Sequence, residues 1–239
     1  MTNLSNARWP ELGSVDLVIV PLGSTEQHGP HLPFETDTVF AAAVADAVAT
    51  ELQAAGVSAL VAPAVPVGSS GEHQDFAGTI SLGNEALRHV VIELARSIKT
   101  WSPRLVFVNG HGGNVPVLND ALAQLVAENH DAVWAPCGVP GQDAHAGREE
   151  TSVMLFLAPG SVRAELAAAG ASGDMKELLP RLRAEGVRAV SPNGVLGDPS
   201  GASAAEGEQL LARMTDSVLE RIAARWPYFS VARPETRQS

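Results

Sequence analysis

Glu26, His28, His31, Glu35 and Asp37 crowd a polar loop that directly follows an apolar run over residues 17–20. Glu26 and His28 are two apart, so an extended backbone turns both to one side. A carboxylate beside an imidazole suits a borderline divalent cation such as zinc, iron or manganese. Asp37 comes nine residues after His28, far enough for the loop to turn back. Plainer roles are open to the same residues. Asp37 can cap the helix predicted over residues 38–52, and His28 and His31 can bond to backbone as loop histidines.

Two further stretches repeat this logic. Asn109-Gly-His-Gly-Gly-Asn114 follows an apolar run, with His111 at its tip. Its glycines let backbone approach a ligand and leave N–H groups free, so Gly112 and Gly113 are candidates to bind a substrate oxyanion. The spacing fits neither a P-loop nor a dinucleotide fingerprint. In Asp143-Ala-His-Ala-Gly-Arg-Glu-Glu-Thr-Ser152, His145 precedes Glu149 and Glu150, which open a short helix. Neighbours on a helix diverge by about 100°, so only one of the two glutamates can face a site there. Glu72 and His73, in a glycine-rich loop, are weaker candidates for contacting substrate. His89 and His130 read as structural, and Cys137 as a buried inert thiol. No Gly-x-Ser-x-Gly elbow is present, which argues against a serine hydrolase.

The elements that must position these loops alternate in type. Apolar runs at residues 17–20, 58–62, 105–108 and 132–135 read as strands, the first breaking at Pro21. Helices are predicted over 38–52, 85–101, 117–129 and 149–157. The 85–101 segment has an apolar face of Leu87, Val90, Val91, Leu94, Ile98 and Trp101. Such alternation predicts an α/β fold with a mainly parallel sheet and helices on both faces. After Pro159 the pattern weakens. Residues 164–170 and 176–183 are weak helix candidates, 191–199 is turn-rich, 208–225 is a final amphipathic helix, and 234–239 is a polar tail. One domain spanning the 239 residues is expected.

Bulk properties narrow the function. A net charge of -11 without a basic cluster argues against nucleic acid. No signal core or membrane-length apolar run is visible, and the single cysteine suits a reducing, cytoplasmic compartment.

Together these stretches resemble the creatininase family of metal-dependent amidohydrolases. The likeness rests on Gly23-Ser-Thr-Glu-Gln-His-Gly-Pro-His-Leu-Pro, Asp37, Gly78-Thr-Ile-Ser-Leu, Asn109-Gly-His-Gly-Gly-Asn and His145-Ala-Gly-Arg-Glu-Glu-Thr-Ser, in that order. It implies a three-layer α/β/α fold and two divalent metal ions per subunit, iron, zinc or manganese. It also implies a homo-oligomer, often a hexamer. By resemblance one metal takes Glu26, Asp37 and His111, the other His28, Asp37 and Glu150, and His145 is the catalytic acid/base. A closer likeness, through Gly71-Glu-His-Gln-Asp-Phe-Ala-Gly-Thr-Ile-Ser, Arg104-Leu-Val-Phe-Val-Asn-Gly-His and Ala189-Val-Ser-Pro-Asn-Gly-Val-Leu-Gly-Asp-Pro, is to members that trim a modified precursor peptide. Those release its crosslinked C-terminal valine–tyrosine unit on the route to a redox cofactor. Members acting on creatinine carry a glutamate where this chain has Gly113. They also carry an aromatic residue where it has Pro140-Gly141-Gln142. Both differences point away from creatinine. Two other readings remain: hydrolysis of a small cyclic amide or formamide, and a non-catalytic metal-binding protein of the same fold.

Overall fold

The computed structural model describes residues 3–138, 145–173 and 175–229. The Pro140-Gly141-Gln142 difference and the 234–239 tail lie outside the described residues. Four strands, β1 (Leu17–Leu22), β2 (Ala59–Val61), β3 (Arg104–Asn109) and β4 (Asp131–Pro136), form one parallel sheet in the order β2-β1-β3-β4. The helices are α1 (Thr36–Ala54), α2 (Gly83–Lys99), α3 (Val115–Ala127), α4 (Arg148–Leu157), α5 (Met175–Glu185), α6 (Val187–Val190) and α7 (Ala204–Arg225).

Every residue of β1 is buried, as expected of a strand covered on both faces. Its side chains alternate between two cores. Leu17 and Ile19 join Val44, Val48 and Leu52 of α1, Val153 and Met154 of α4, and Leu210, Val218 and Ile222 of α7. Val18, Val20 and Leu22 join Leu87, Val91 and Ile98 of α2 and Leu118 and Leu125 of α3. The result is the three-layer arrangement of helices, sheet and helices. Chain order reverses between β1 and β3, so their carboxyl ends open the crevice in which α/β proteins bind ligands.

The structure corrects several boundaries. β1 runs through Pro21 to Leu22. The Pro21 carbonyl accepts from the Val65 amide at 2.9 Å, so its ring nitrogen faces the same side, where β2 has already ended at Val61. Pro21 offers no N–H on that side and the β2 ladder stops there, while pairing with β3 continues, so proline is tolerated in β1. α1 begins before Asp37, so Asp37 lies in its first turn and is not its cap. On α2, Val90 and Leu94 are only half-buried and Trp101 is exposed, while Ile92 and Ala95 complete the buried face. Residues 164–170 contain only a 3-10 turn, Ala164–Leu166. α7 starts at Ala204 because the Ser203 hydroxyl accepts from the Glu206 amide at 3.2 Å.

α4 and α7 approach closely at Gly207, where an added Cβ would lie 2.0 Å from the Ser152 carbonyl oxygen. Alanine would gain about 1 kcal/mol of helix propensity, but overpacking against backbone costs about 1–3 kcal/mol. Gly207→Ala is therefore expected to lower the melting temperature, read by thermal denaturation.

Candidate metal centre

The loop after β1, the start of α1, the loop after β3 and the start of α4 meet at the crevice. Gly110 lets the β3 loop pass α1; a Cβ there would sit 2.3 Å from the Asp37 carbonyl oxygen. Asn114 joins the loops by donating to the Gly23 carbonyl and the Asn109 side chain, each at 3.0 Å, and accepting from the Ser69 amide at 2.8 Å.

Glu26 and Asp37 are fully buried, and His111 bridges them. Its Nδ1 lies 3.2 Å from Glu26 Oε2 and 3.3 Å from Asp37 Oδ2. His28 Nε2 lies 3.1 Å from Asp37 Oδ1 and 3.8 Å from Glu150 Oε2. Glu26, Asp37 and His111 thus form one group able to hold a cation, with ligand atoms within 4.8 Å of one another. His28, Asp37 and Glu150 form a second such group, and Asp37 belongs to both. Glu26, His28 and His145 form a third. Glu149 is in none of them.

Each central histidine has one ring nitrogen fixed by a backbone carbonyl and the other turned inward. His111 Nε2 donates to the Ser69 carbonyl at 3.0 Å, and His28 Nδ1 to the Glu26 carbonyl at 3.1 Å. His145 Nε2 donates to the Gln27 carbonyl at 2.7 Å, which leaves Nδ1 facing Glu26 Oε1 at 3.7 Å. Fixing the outer nitrogen in this way orients imidazoles as metal ligands.

The electrostatics fit a bound cation. Among the described residues neither Glu26 oxygen has a well-formed hydrogen bond, His111 Nδ1 standing at 3.2 Å, and such a buried carboxylate is costly unless positive charge sits beside it. Burial alone would raise Glu26 and Asp37. The attraction of His111 for Glu26, and of His28 and His111 for Asp37, instead holds both below the carboxylate range. Burial opposes protonation of His28, but Asp37, Glu150 and Glu26 lift it to about 10. His111 is likewise raised, against burial, by Glu26 and Asp37. Protons therefore occupy the positions that divalent cations would take. Burial, reinforced by Asp37 and opposed by His28, brings the Glu150 carboxyl up to about 7. His145 stays neutral because burial and then the charge on His28 push it down.

His73 is more central than the sequence indicates. Its Nε2 sits 3.3 Å from Glu26 Oε1, and its ring centroid is 4.5 Å from that of His145. Burial and the His111 charge push it to about 3. Glu72 Oε1 lies 3.5 Å from His111 Nε2. Gly112 and Gly113 line the same cleft. A Cβ on Gly113 would meet the Ser69 carbonyl oxygen at 2.4 Å, so this backbone leaves no room for a glutamate there. His31 is buried but structural, its Nε2 donating to the Thr151 hydroxyl at 2.9 Å. Glu35 is exposed. Burial raises the Cys137 thiol, which keeps it inert.

Sequence reasoning missed Gln27. Strict alternation would aim it away from Glu26 and His28, but its side chain meets residues brought in by distant loops, and its Oε1 accepts from the Gly29 amide at 2.9 Å. Gln27 Nε2 donates to His73 Nδ1 at 2.8 Å and to the Gly194 carbonyl at 3.1 Å, and with its own carbonyl accepting from His145 it holds two imidazoles in place. Ser24 was also missed; its hydroxyl donates to Asp37 Oδ2 at 2.7 Å. Ala146, next to His145, is buried at φ 52 and donates its amide to Glu150 Oε2 at 2.6 Å. Such strained backbone concentrates at functional sites.

A family profile described as Creatininase: Creatinine amidohydrolase matches residues 5–222, and the chain belongs to the creatininase family, whose members are hydrolases. A mycofactocin precursor peptide peptidase of Mycobacterium ulcerans (strain Agy99) is 53% identical over 222 residues, covering 91% of this chain and 86% of that one. A solved manganese creatininase superposes with a TM-score of 0.75 at 25% identity, covering 95% of this chain and 99% of its own. A Zn–Zn form of a glutamate-to-glutamine creatininase mutant gives 0.74 at 25% identity, covering 94% and 98%.

Stripped of divalent metal by a chelator, the folded chain holds the His28 proton to about pH 10, against 6.5 for an ordinary imidazole. That stabilisation is complete below about pH 6.5 and is lost as pH rises towards 10. The melting temperature of the chelated protein is expected to fall across this window. With zinc added the slope should reverse, since cation and proton compete for the same ligands.

Proposed function

We propose that this chain is a metal-dependent peptidase that cleaves the modified mycofactocin precursor peptide and releases its crosslinked C-terminal valine–tyrosine unit. The observation that carries the reading is the cleft beside the cluster, about 860 Å³, which runs from Glu26, Asp37, His145 and Glu150 to α5 and α6. It has far more room than a five-membered cyclic amide fills, and its size lies within the range of extended-ligand sites. The named relative supplies the substrate, and the closed Gly113 position separates this chain from creatinine-acting members.

In this reading Glu26, Asp37 and His111 hold one divalent cation, and His28, Asp37 and Glu150 a second, zinc, manganese and iron all suiting the donor set. When bound, such a pair supplies a Lewis acid for the amide carbonyl and lowers the pKa of the attacking water. Asp37 serves both positions, and Ser24 keeps its carboxylate turned inward. His145 begins neutral, with Nδ1 free. It takes a proton at that atom as water adds to the carbonyl, then delivers it to the departing amine. Gln27 and its carbonyl hold the ring for both transfers. Glu72 and His73 flank the substrate, and the Gly112 and Gly113 N–H groups assist the oxyanion. The reading includes assembly into a homo-oligomer, a hexamer by family likeness, which sedimentation tests. Among the described residues no helix is long and apolar enough to cross a membrane, and the chain is taken to work in the cytoplasm without nucleic acid.

Assays of the metal-loaded protein on the modified peptide, creatinine and a formylated aminopyrimidine test the substrate. Cleavage of the peptide alone is expected, and turnover of only a small amide would overturn the reading. Asp37→Ala is expected to lose both metals by elemental analysis and nearly all activity. A variant retaining two metals would end the two-cation proposal. His145→Ala should retain its metal content and lose about 10²–10⁴-fold in kcat. Loss of metal would make His145 a ligand, as its place in the third group allows.

A further inference from the structure

The wall of the cleft opposite the metal cluster is built by residues whose sequence pattern is weak. α5 and α6 are fastened to the 3-10 turn Gly71–His73 and the residues after it. Arg188 Nη1 donates to the Asp75 carbonyl at 2.8 Å, and its guanidinium lies 5.5 Å from the Phe76 ring centroid. Leu182, Val187 and Leu196 pack with Phe76 beneath. The wall is therefore rigidly related to Glu72 and His73.

On this wall Leu179 and Arg183 both line the cleft. They are four residues apart on α5, so they are neighbours on one helix face. Leu179 is 37% exposed, an apolar surface left bare inside a cleft. Arg183 is exposed and forms no ion pair among the described residues. Its neighbour Arg181 takes Glu185 at 3.3 Å. Among the described residues seven of the eleven other arginines form ion pairs, as with Arg88 and Asp120, Arg148 and Glu206, and Arg225 and Asp131. In a chain with 27 acidic and 16 basic residues, an unpaired guanidinium inside a cleft has a surplus of carboxylates to choose from and engages none. Apart from histidines it is, among the described residues, the one cationic side chain lining that cleft, against Glu26, Asp37, Glu72, Asp75, Glu150 and Glu185.

We propose that Arg183 receives a carboxylate side chain of the peptide substrate, with an adjacent apolar side chain resting on Leu179, and so selects which peptides enter. This rests on the peptidase reading. Arg183 touches no reacting atom. Its contribution is to binding, and the planar guanidinium fork suits a carboxylate. The pair is partly exposed, so its effect is modest and sensitive to salt.

The test uses the full-length, metal-loaded protein, Arg183→Gln, and the modified peptide with each acidic side chain replaced in turn by its amide. Arg183→Gln is expected to raise KM about three- to tenfold with kcat little changed and metal content intact. Neutralising one particular peptide carboxylate should cause the same loss in the parent protein and no further loss in the variant. Added sodium chloride should shrink the difference. Arg183→Glu should recover binding to a peptide carrying lysine at that position, which keeps the test available if Arg183→Gln folds poorly. Calorimetric titration of the peptide into each protein reads the contact without turnover. An inactive parent protein that still binds peptide through Arg183 would count against the peptidase reading alone. Equal affinity of parent and Arg183→Gln, or losses that add for every peptide carboxylate, would overturn the role of Arg183.

Discussion

The Glu26 carboxylate is buried, and imidazole nitrogens stand against it, His111 Nδ1 at 3.2 Å. An ionised group in that position is tolerable only where positive charge is held against it. The surrounding architecture meets that requirement. Three imidazoles from three separate loops, His73, His111 and His145, bring a ring nitrogen within 3.7 Å of the carboxylate. Asp37 adds a second buried charge from the first turn of α1, where the helix dipole favours it. Without cations these charges are balanced by protons, and that balance depends on pH.

The sheet makes this concentration of charge possible. Only at the reversal between β1 and β3 do two loops leave adjacent strand ends in opposite directions and free a crevice. The two cores on either side anchor the strands through alternating apolar side chains, so the loops inherit their positions from buried hydrophobic contact. The polar centre is thus held by elements that have no polar requirement of their own.

Much of this was legible in the sequence because its signals are local. Four strands and the helices between them announce themselves by apolar runs and helical spacing, and the residues at the centre stand out as acidic and imidazole groups at strand ends. What was hidden depended on distant contacts. Pro21 reads as a break, yet the end of β2 makes it harmless. Gln27 reads as facing away, yet it meets His73 and Gly194, both delivered by distant loops. Residues beyond Pro159 show little periodicity because α5 and α6 pack on a small satellite core and the loop turn, not on the sheet. Their place over the cleft follows from tertiary docking that no short window encodes.

His145 is joined to Leu196 by two main-chain bonds, its amide donating at 3.3 Å and its carbonyl accepting at 2.8 Å. Leu196 in turn belongs to the small core beneath α5 and α6. This single rung separates two tasks in the architecture. Part of the segment between residues 160 and 190 is tied to the rung's flanks, Gly170 donating to the Gly197 carbonyl at 3.0 Å and Ala171 to the Val195 carbonyl at 3.1 Å. Change that spares the imidazole is therefore confined to α5 and its approaches, while the rung and its flanks keep the shape of the centre.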